Sequence, residues 1–166
     1  KIASGYSTAI FYGDFVKLVA TGTVEKAEVT TSVVAGTVGI FVGCAYTDPS
    51  TNQMTFNQQF PASTAADDIV AYVVDDPKLL FRMQGDEAIA QTGLGNNISA
   101  VNTAGSTSIG RSKNALDGGS IATTNTLPLR VVDFVDGPTS TVGDAFTDCI
   151  VTYLPLSHAY ETKLGV

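Results

Sequence analysis

His158 is the only histidine in the chain, so zinc sites built on several imidazoles are excluded and a catalytic triad would have one base to draw on. A base needs a nucleophile in a matching setting. No Gly-x-Ser-x-Gly elbow occurs, and neither Cys44 nor Cys149 stands in the local context of a known nucleophile family. Next to Leu156 and Ser157, His158 reads as a structural or exposed imidazole. The acidic pairs Asp67-Asp68 and Asp75-Asp76 are the other candidates, as calcium ligands or as a glycosidase acid and base. Adjacent residues on a strand face opposite ways, and neither pair has the spacing of a calcium loop, so turn and strand-end roles are favoured. In the glycine-rich stretch Thr92 to Ser99, Gly93 and Gly95 are followed by Ile98 where a dinucleotide fingerprint requires a third glycine or alanine. No Gly-Lys-Ser or Gly-Lys-Thr occurs, so a Walker-type phosphate loop is absent from the sequence. Asn97-Ile98-Ser99 matches a glycosylation sequon, a pattern too short to carry weight. No catalytic residue, cofactor or metal ligand is assigned, and a non-enzymatic protein is expected.

The elements around these residues are strands. Ala9 to Val19 reads as a strand broken by Gly13 and Asp14, at a tight turn or a bulge. Lys26 to Ser32 alternates, with Ala27, Val29 and Thr31 on one face. Val38 to Tyr46 is an apolar strand in which Gly39 and Gly43 predict strong curvature. In Val70 to Gln84, Val70, Tyr72 and Val74 oppose Ile69, Ala71 and Val73. Both faces are apolar, which predicts a central strand covered on both sides. Pro77 and the side chains of Asp75 and Asp76 turn the chain, and a wetter strand resumes with Leu79, Phe81 and Met83 opposite Leu80, Arg82 and Gln84. Short helices are expected over Gln84 to Gln91 and Lys113 to Leu116. Strands return at Ile121 to Thr124, Leu127 to Asp136 and Ala145 to Leu156. Cys44 and Cys149 lie among apolar residues and read as buried free thiols.

At 166 residues the chain has the size of one domain and buries roughly 70% of its unfolded surface. No internal repeat or linker divides it. The expected fold is mainly β: a compact antiparallel β-barrel or β-sandwich-like domain with long loops and at most one or two short helices. Around it lie an extended N-terminal segment, about 1–10, and a loop excursion, about 47–68, carrying Met54, Phe56 and Phe60. Charged residues are only 15% of the total, the net charge is -7 and the pI is near 4.4. That balance disfavours nucleic acid as a partner, since affinity for phosphate backbones needs clustered Lys and Arg. No apolar run reaches the roughly 20 residues that span a bilayer, and the first residues carry no signal-peptide pattern. A soluble protein without a membrane partner is the expectation.

Five blocks in order, Tyr12 to Leu18 (YGDFVKL), Ile40 to Asp48 (IFVGCAYTD), Ala71 to Gln84 (AYVVDDPKLLFRMQ), Leu94 to Val101 (LGNNISAV) and Leu127 to Pro138 (LPLRVVDFVDGP), resemble a family of tailed-bacteriophage head-associated proteins. Gly105 to Asp117 is similar to that family's glycine-and-serine segment. The resemblance spans nearly the whole chain, and its most specific block is the Asp-Asp-Pro turn followed by Leu-Phe and a nearby Gln. One departure is at the C-terminus, where Leu156 and Ser157 precede His158 in place of an expected Asn.

The resemblance implies a decoration or cement protein, which sits on the outer lattice of the major capsid protein and reinforces it. It implies localisation in the virion capsid, assembled in the host cytoplasm, and a homo-oligomer, dimer or trimer. Tyr6, Phe56 and Phe60 are the expected capsid or oligomer contacts, the other reading of the two Phe residues being that they pin the loop excursion to the body. A tail or host-recognition module is the second reading, and a small hydrolase built around His158 the third.

Overall fold

A computed structural model describes residues 1–30 and 36–161; the expected strand positions Thr31 and Ser32 lie outside them. Ten strands form among the described residues: β1 Phe15–Leu18, β2 Val24–Lys26, β3 Thr37–Thr47, β4 Met54–Asn57, β5 Val70–Val74, β6 Phe81–Gln84, β7 Asn97–Val101, β8 Ala115–Ala122, β9 Leu129–Phe134 and β10 Asp148–Tyr153. A 3-10 turn at Gln91–Gly93 is the one helical element among the described residues. The strands make two five-stranded antiparallel sheets that do not close into a barrel, a sandwich-like arrangement. One sheet runs β2-β1-β3-β4 with β5 on the opposite edge of β3, and the other runs β6-β10-β9-β7-β8.

Strand β3 organises the first sheet because it is long enough to hold three partners. Its first half pairs with β1 and its last four residues with β4, while β5 lies along its other side from Ile40 to Ala45. The expected bends are real. Register shifts occur in β3 beside Gly39 and again between Phe41 and Gly43, and a bulge of this kind turns the strand and reverses which face the next residues occupy. Phe41 and Cys44 therefore share one apolar cluster although three positions separate them.

That cluster covers one face of the first sheet. Val16, Val38, Phe41, Cys44 and Tyr46 pack there with Ile2, Ile10, Phe60 and Ile69. The N-terminal segment is held down by backbone bonds: Ile10 and Phe60 exchange N–H···O bonds of 3.1 and 2.7 Å, and Gly5 donates to the Thr64 carbonyl at 2.8 Å. The second cluster lies between the sheets, where Phe15 meets Ile98, Leu116, Leu129, Val131, Cys149 and Val151.

Three expectations are corrected. Lys113 to Leu116 enters β8 rather than a helix, and Gln84 to Gln91 forms no helix because β6 and the loop after it pair with neighbours: Gly85 donates to Thr147 and Asp86 to Leu116. The expected turn at Asp75 to Pro77 is present. It carries the chain from β5 in one sheet to β6 in the other, with Leu79 N–H bonded to the Asp76 carbonyl at 3.1 Å and Lys78 N–H to Asp76 Oδ1 at 2.8 Å. Finally, β5 is an edge strand rather than a central one. Val70, Tyr72 and Val74 are exposed, so apolar character on both faces here does not mean cover on both faces.

Candidate functional site

Most of the candidate residues are engaged in structure. His158 is fully buried, its ring edge-on to Tyr153 at 5.4 Å and to Tyr160 at 5.2 Å. Its Nδ1 accepts from the Tyr160 N–H at 3.3 Å. Burial holds its pKa below the usual histidine range, against weaker upward pulls from the Val38 backbone and the carboxylates of Glu161, Asp75 and Asp76. Cys44 and Cys149 are free, buried and in different clusters, and burial pushes each thiol up to about 11. A thiol so shifted is a poor nucleophile at neutral pH.

Members of both acidic pairs accept hydrogen bonds within the fold. Asp68 accepts from Thr47 Oγ1 at 2.6 Å and from Thr47 N–H at 3.1 Å, and Asp75 accepts from the Tyr160 hydroxyl at 3.1 Å. Asn97 of the sequon is buried, its amide donating to the Thr124 carbonyl and accepting from Arg130. Thr92 to Ser99 makes the 3-10 turn and the start of β7. Asp86, Glu87 and Asp117 bring carboxylate oxygens within 4.8 Å of one another. They could hold a divalent cation, but Asp86 already accepts from Gly118 N–H and Asp117 from Ser99.

The three expected contact residues separate. Phe60 is fully buried against Ile10 and the Tyr6 ring, so it pins the loop to the body and has no surface to offer another chain. Tyr6 is half-buried, and its hydroxyl accepts from Lys26 N–H at 3.2 Å. Phe56 alone projects, at 75% exposure.

Around Phe56 lies a surface that alternation could not reveal. Residues directly opposite in a sheet share a face. Phe56 stands opposite Ala45, which stands opposite Val70, a row across β4, β3 and β5. Met54 opposite Thr47, Tyr72 opposite Gly43 and Val74 opposite Ile40 extend that face. At the β1 end this face, with Phe15 and Ile40, packs on the second sheet. At the β4-β5 end Met54, Phe56, Val70, Tyr72 and Val74 are all exposed. Grouped apolar exposure of this kind marks an interaction surface more than scattered residues do.

Acids surround it. Asp48 follows β3, Asp67 and Asp68 precede β5, and Asp75 and Asp76 follow β5. Hydrogen bonds from Ser50 hold the Asp48 carboxyl below the usual range, and bonds from Thr47 do the same for Asp68, so both remain anionic in mild acid. Lys1, bonded to the Asp67 carbonyl, and Lys78 are the cations nearby in sequence.

Compared with protein-family models, with curated proteins and with solved structures, the chain matches none. No helix among the described residues is long and apolar enough to cross a membrane.

Proposed function

We propose that this chain is a non-enzymatic structural protein of a tailed-phage virion, a decoration protein that docks on the outer face of the major capsid protein through its β4-β3-β5 surface. The observation that carries the docking mode is the five exposed apolar side chains lying together on one sheet face. The block resemblance supplies the partner. An apolar patch bordered by aspartates fits a capsid surface with apolar residues at its centre and Lys or Arg at its border, which favours the right partner and repels acidic ones. A capsid lattice repeats such a site many times, and a dimeric or trimeric decoration protein would gain further from simultaneous engagement. The engaged states of His158, Cys44 and Cys149 support the non-enzymatic reading.

Quantitative imaging of purified virions with labelled protein tests this assignment. Copy numbers near the number of capsid lattice sites, on heads, support it. Label confined to tails would replace it with the tail or host-recognition reading.

A further inference from the structure

A groove of about 430 Å³ opens where the first sheet meets β6 of the second. Its volume falls in the range of small-ligand sites, about 300–1,000 Å³. Phe15, Ile40, Phe81 and Met83 supply apolar walls, and Tyr12 stands partly exposed beside them. Polar groups come from Gln84 on β6 and from Arg111, Ser112 and Asn114.

Charge narrows the occupant. The chain has three arginines and a net charge of -7, yet Arg82 and Arg111 both line this one groove. Arg82 is committed to the buried carboxylate of Asp148. Beneath the groove's Ser112 and Asn114, the buried Asp14 is matched by Lys26 at 3.1 Å. Arg111 is exposed and has no ion pair or side-chain hydrogen bond among the described residues. One unmatched positive charge remains, held over an apolar floor. Arg111 is also well placed by its backbone: Tyr12 N–H bonds the Gly110 carbonyl at 3.0 Å, Ser112 N–H bonds the Tyr12 carbonyl at 2.9 Å, and Ser106 N–H bonds the Arg111 carbonyl at 2.9 Å. The segment is tied to the body on both sides of Arg111.

We infer that this groove is a binding site for a small monocarboxylate with a ring or branched aliphatic body, the carboxylate on Arg111 and the body against Phe15, Phe81 and Met83. A guanidinium takes a carboxylate in bidentate fashion. A single unmatched charge within an acidic chain suits a monoanion better than a phosphate dianion or a polyanion. The site is independent of what covers the β4-β3-β5 face.

Amide NMR titrations of the whole chain with benzoate, cyclohexanecarboxylate and glucuronate test it, with benzamide as the neutral counterpart of benzoate. At least one acid shifts the amides of Tyr12, Phe81 to Gln84 and Arg111 to Asn114 saturably, and benzamide binds at least about tenfold more weakly, the loss of one charge-assisted contact. Arg111→Gln weakens that acid by a similar factor, and Arg111→Lys by less, while amide dispersion away from the groove reports an intact fold in both. The inference is overturned by equal binding of benzamide, by shifts that map elsewhere, or by an Arg111→Gln variant that binds as the parent does. It is equally overturned if none of the three acids binds at about 10 mM, well above a weak 1 mM dissociation constant.

Discussion

Gly39 lies directly beneath the backbone of Val74: a Cβ at Gly39 would stand 2.0 Å from the Val74 carbonyl oxygen, and its φ is +152°. The close approach is what lets β5 follow β3 around its bend, so the outer face of β5 is presented by a glycine on a neighbouring strand. Gly39→Ala is therefore expected to destabilise the protein by about 3 kcal/mol or more, through backbone strain and overlap together. Gly137→Ala is the control, since nothing lies within 4 Å of a Cβ there and φ is not positive. Urea denaturation midpoints of the two variants check the difference.

Asp14 is fully buried and joins three parts of the chain. It accepts from Phe11 N–H at 2.9 Å and Ser112 Oγ at 2.6 Å, and pairs with Lys26 Nζ at 3.1 Å. Removing one partner of a buried pair leaves the other charge and its donors uncompensated, a cost of about 3–5 kcal/mol. Asp14→Ala should show a loss of that order. The double variant Asp14→Ala/Lys26→Met should be more stable than the sum of its singles, and a double-mutant cycle measured by denaturation gives the coupling.

Burial lowers the pKa of His158 in the folded state, so between that value and the unfolded value of about 6.5 the unfolded chain binds more protons. Stability from this group is complete above the unfolded value, declines as pH falls through it, and stops declining below the folded value. Asp48 and Asp68 have lowered values too, and their contribution is lost only in stronger acid, below the ordinary carboxylate range. Between pH 7.5 and 5 the parent should lose stability that His158→Gln does not, which paired denaturation series at the two pH values would show. Equal losses would place the pH dependence elsewhere.

The β-rich class, the positions of most strands and the bends at Gly39 and Gly43 were legible in the sequence, because β-branched runs, turn residues and misplaced glycines act locally. The sheet partners were not. Val70, Tyr72 and Val74 read as buried because apolar alternation reports that a face avoids water, not whether the cover comes from this chain or another. In β9, alternation alone groups Asp133 with Leu129 and Val131, yet Phe134 is the buried residue. A register shift beside Val132 reverses the phase there. Of the contact residues, Phe56 and Phe60 have similar neighbourhoods in sequence, and only the pairing of Phe60 with Ile10 buries one and leaves the other exposed. The groove beside Arg111 had no local signal, since its walls come from four separated segments.

The most direct measurement is co-sedimentation of the chain with assembled heads encoded by the same genome, comparing the parent with Phe56→Ser/Tyr72→Ser. Both side chains are exposed, so the variant should keep its unfolding free energy to within about 0.5 kcal/mol. A central apolar anchor contributes about 2 kcal/mol or more, so loss of even one of the two should weaken binding at least about 30-fold, and the parent's binding should weaken as salt screens the aspartate border. Undiminished binding by the folded variant, or no binding by the parent, would contradict docking through the β4-β3-β5 face.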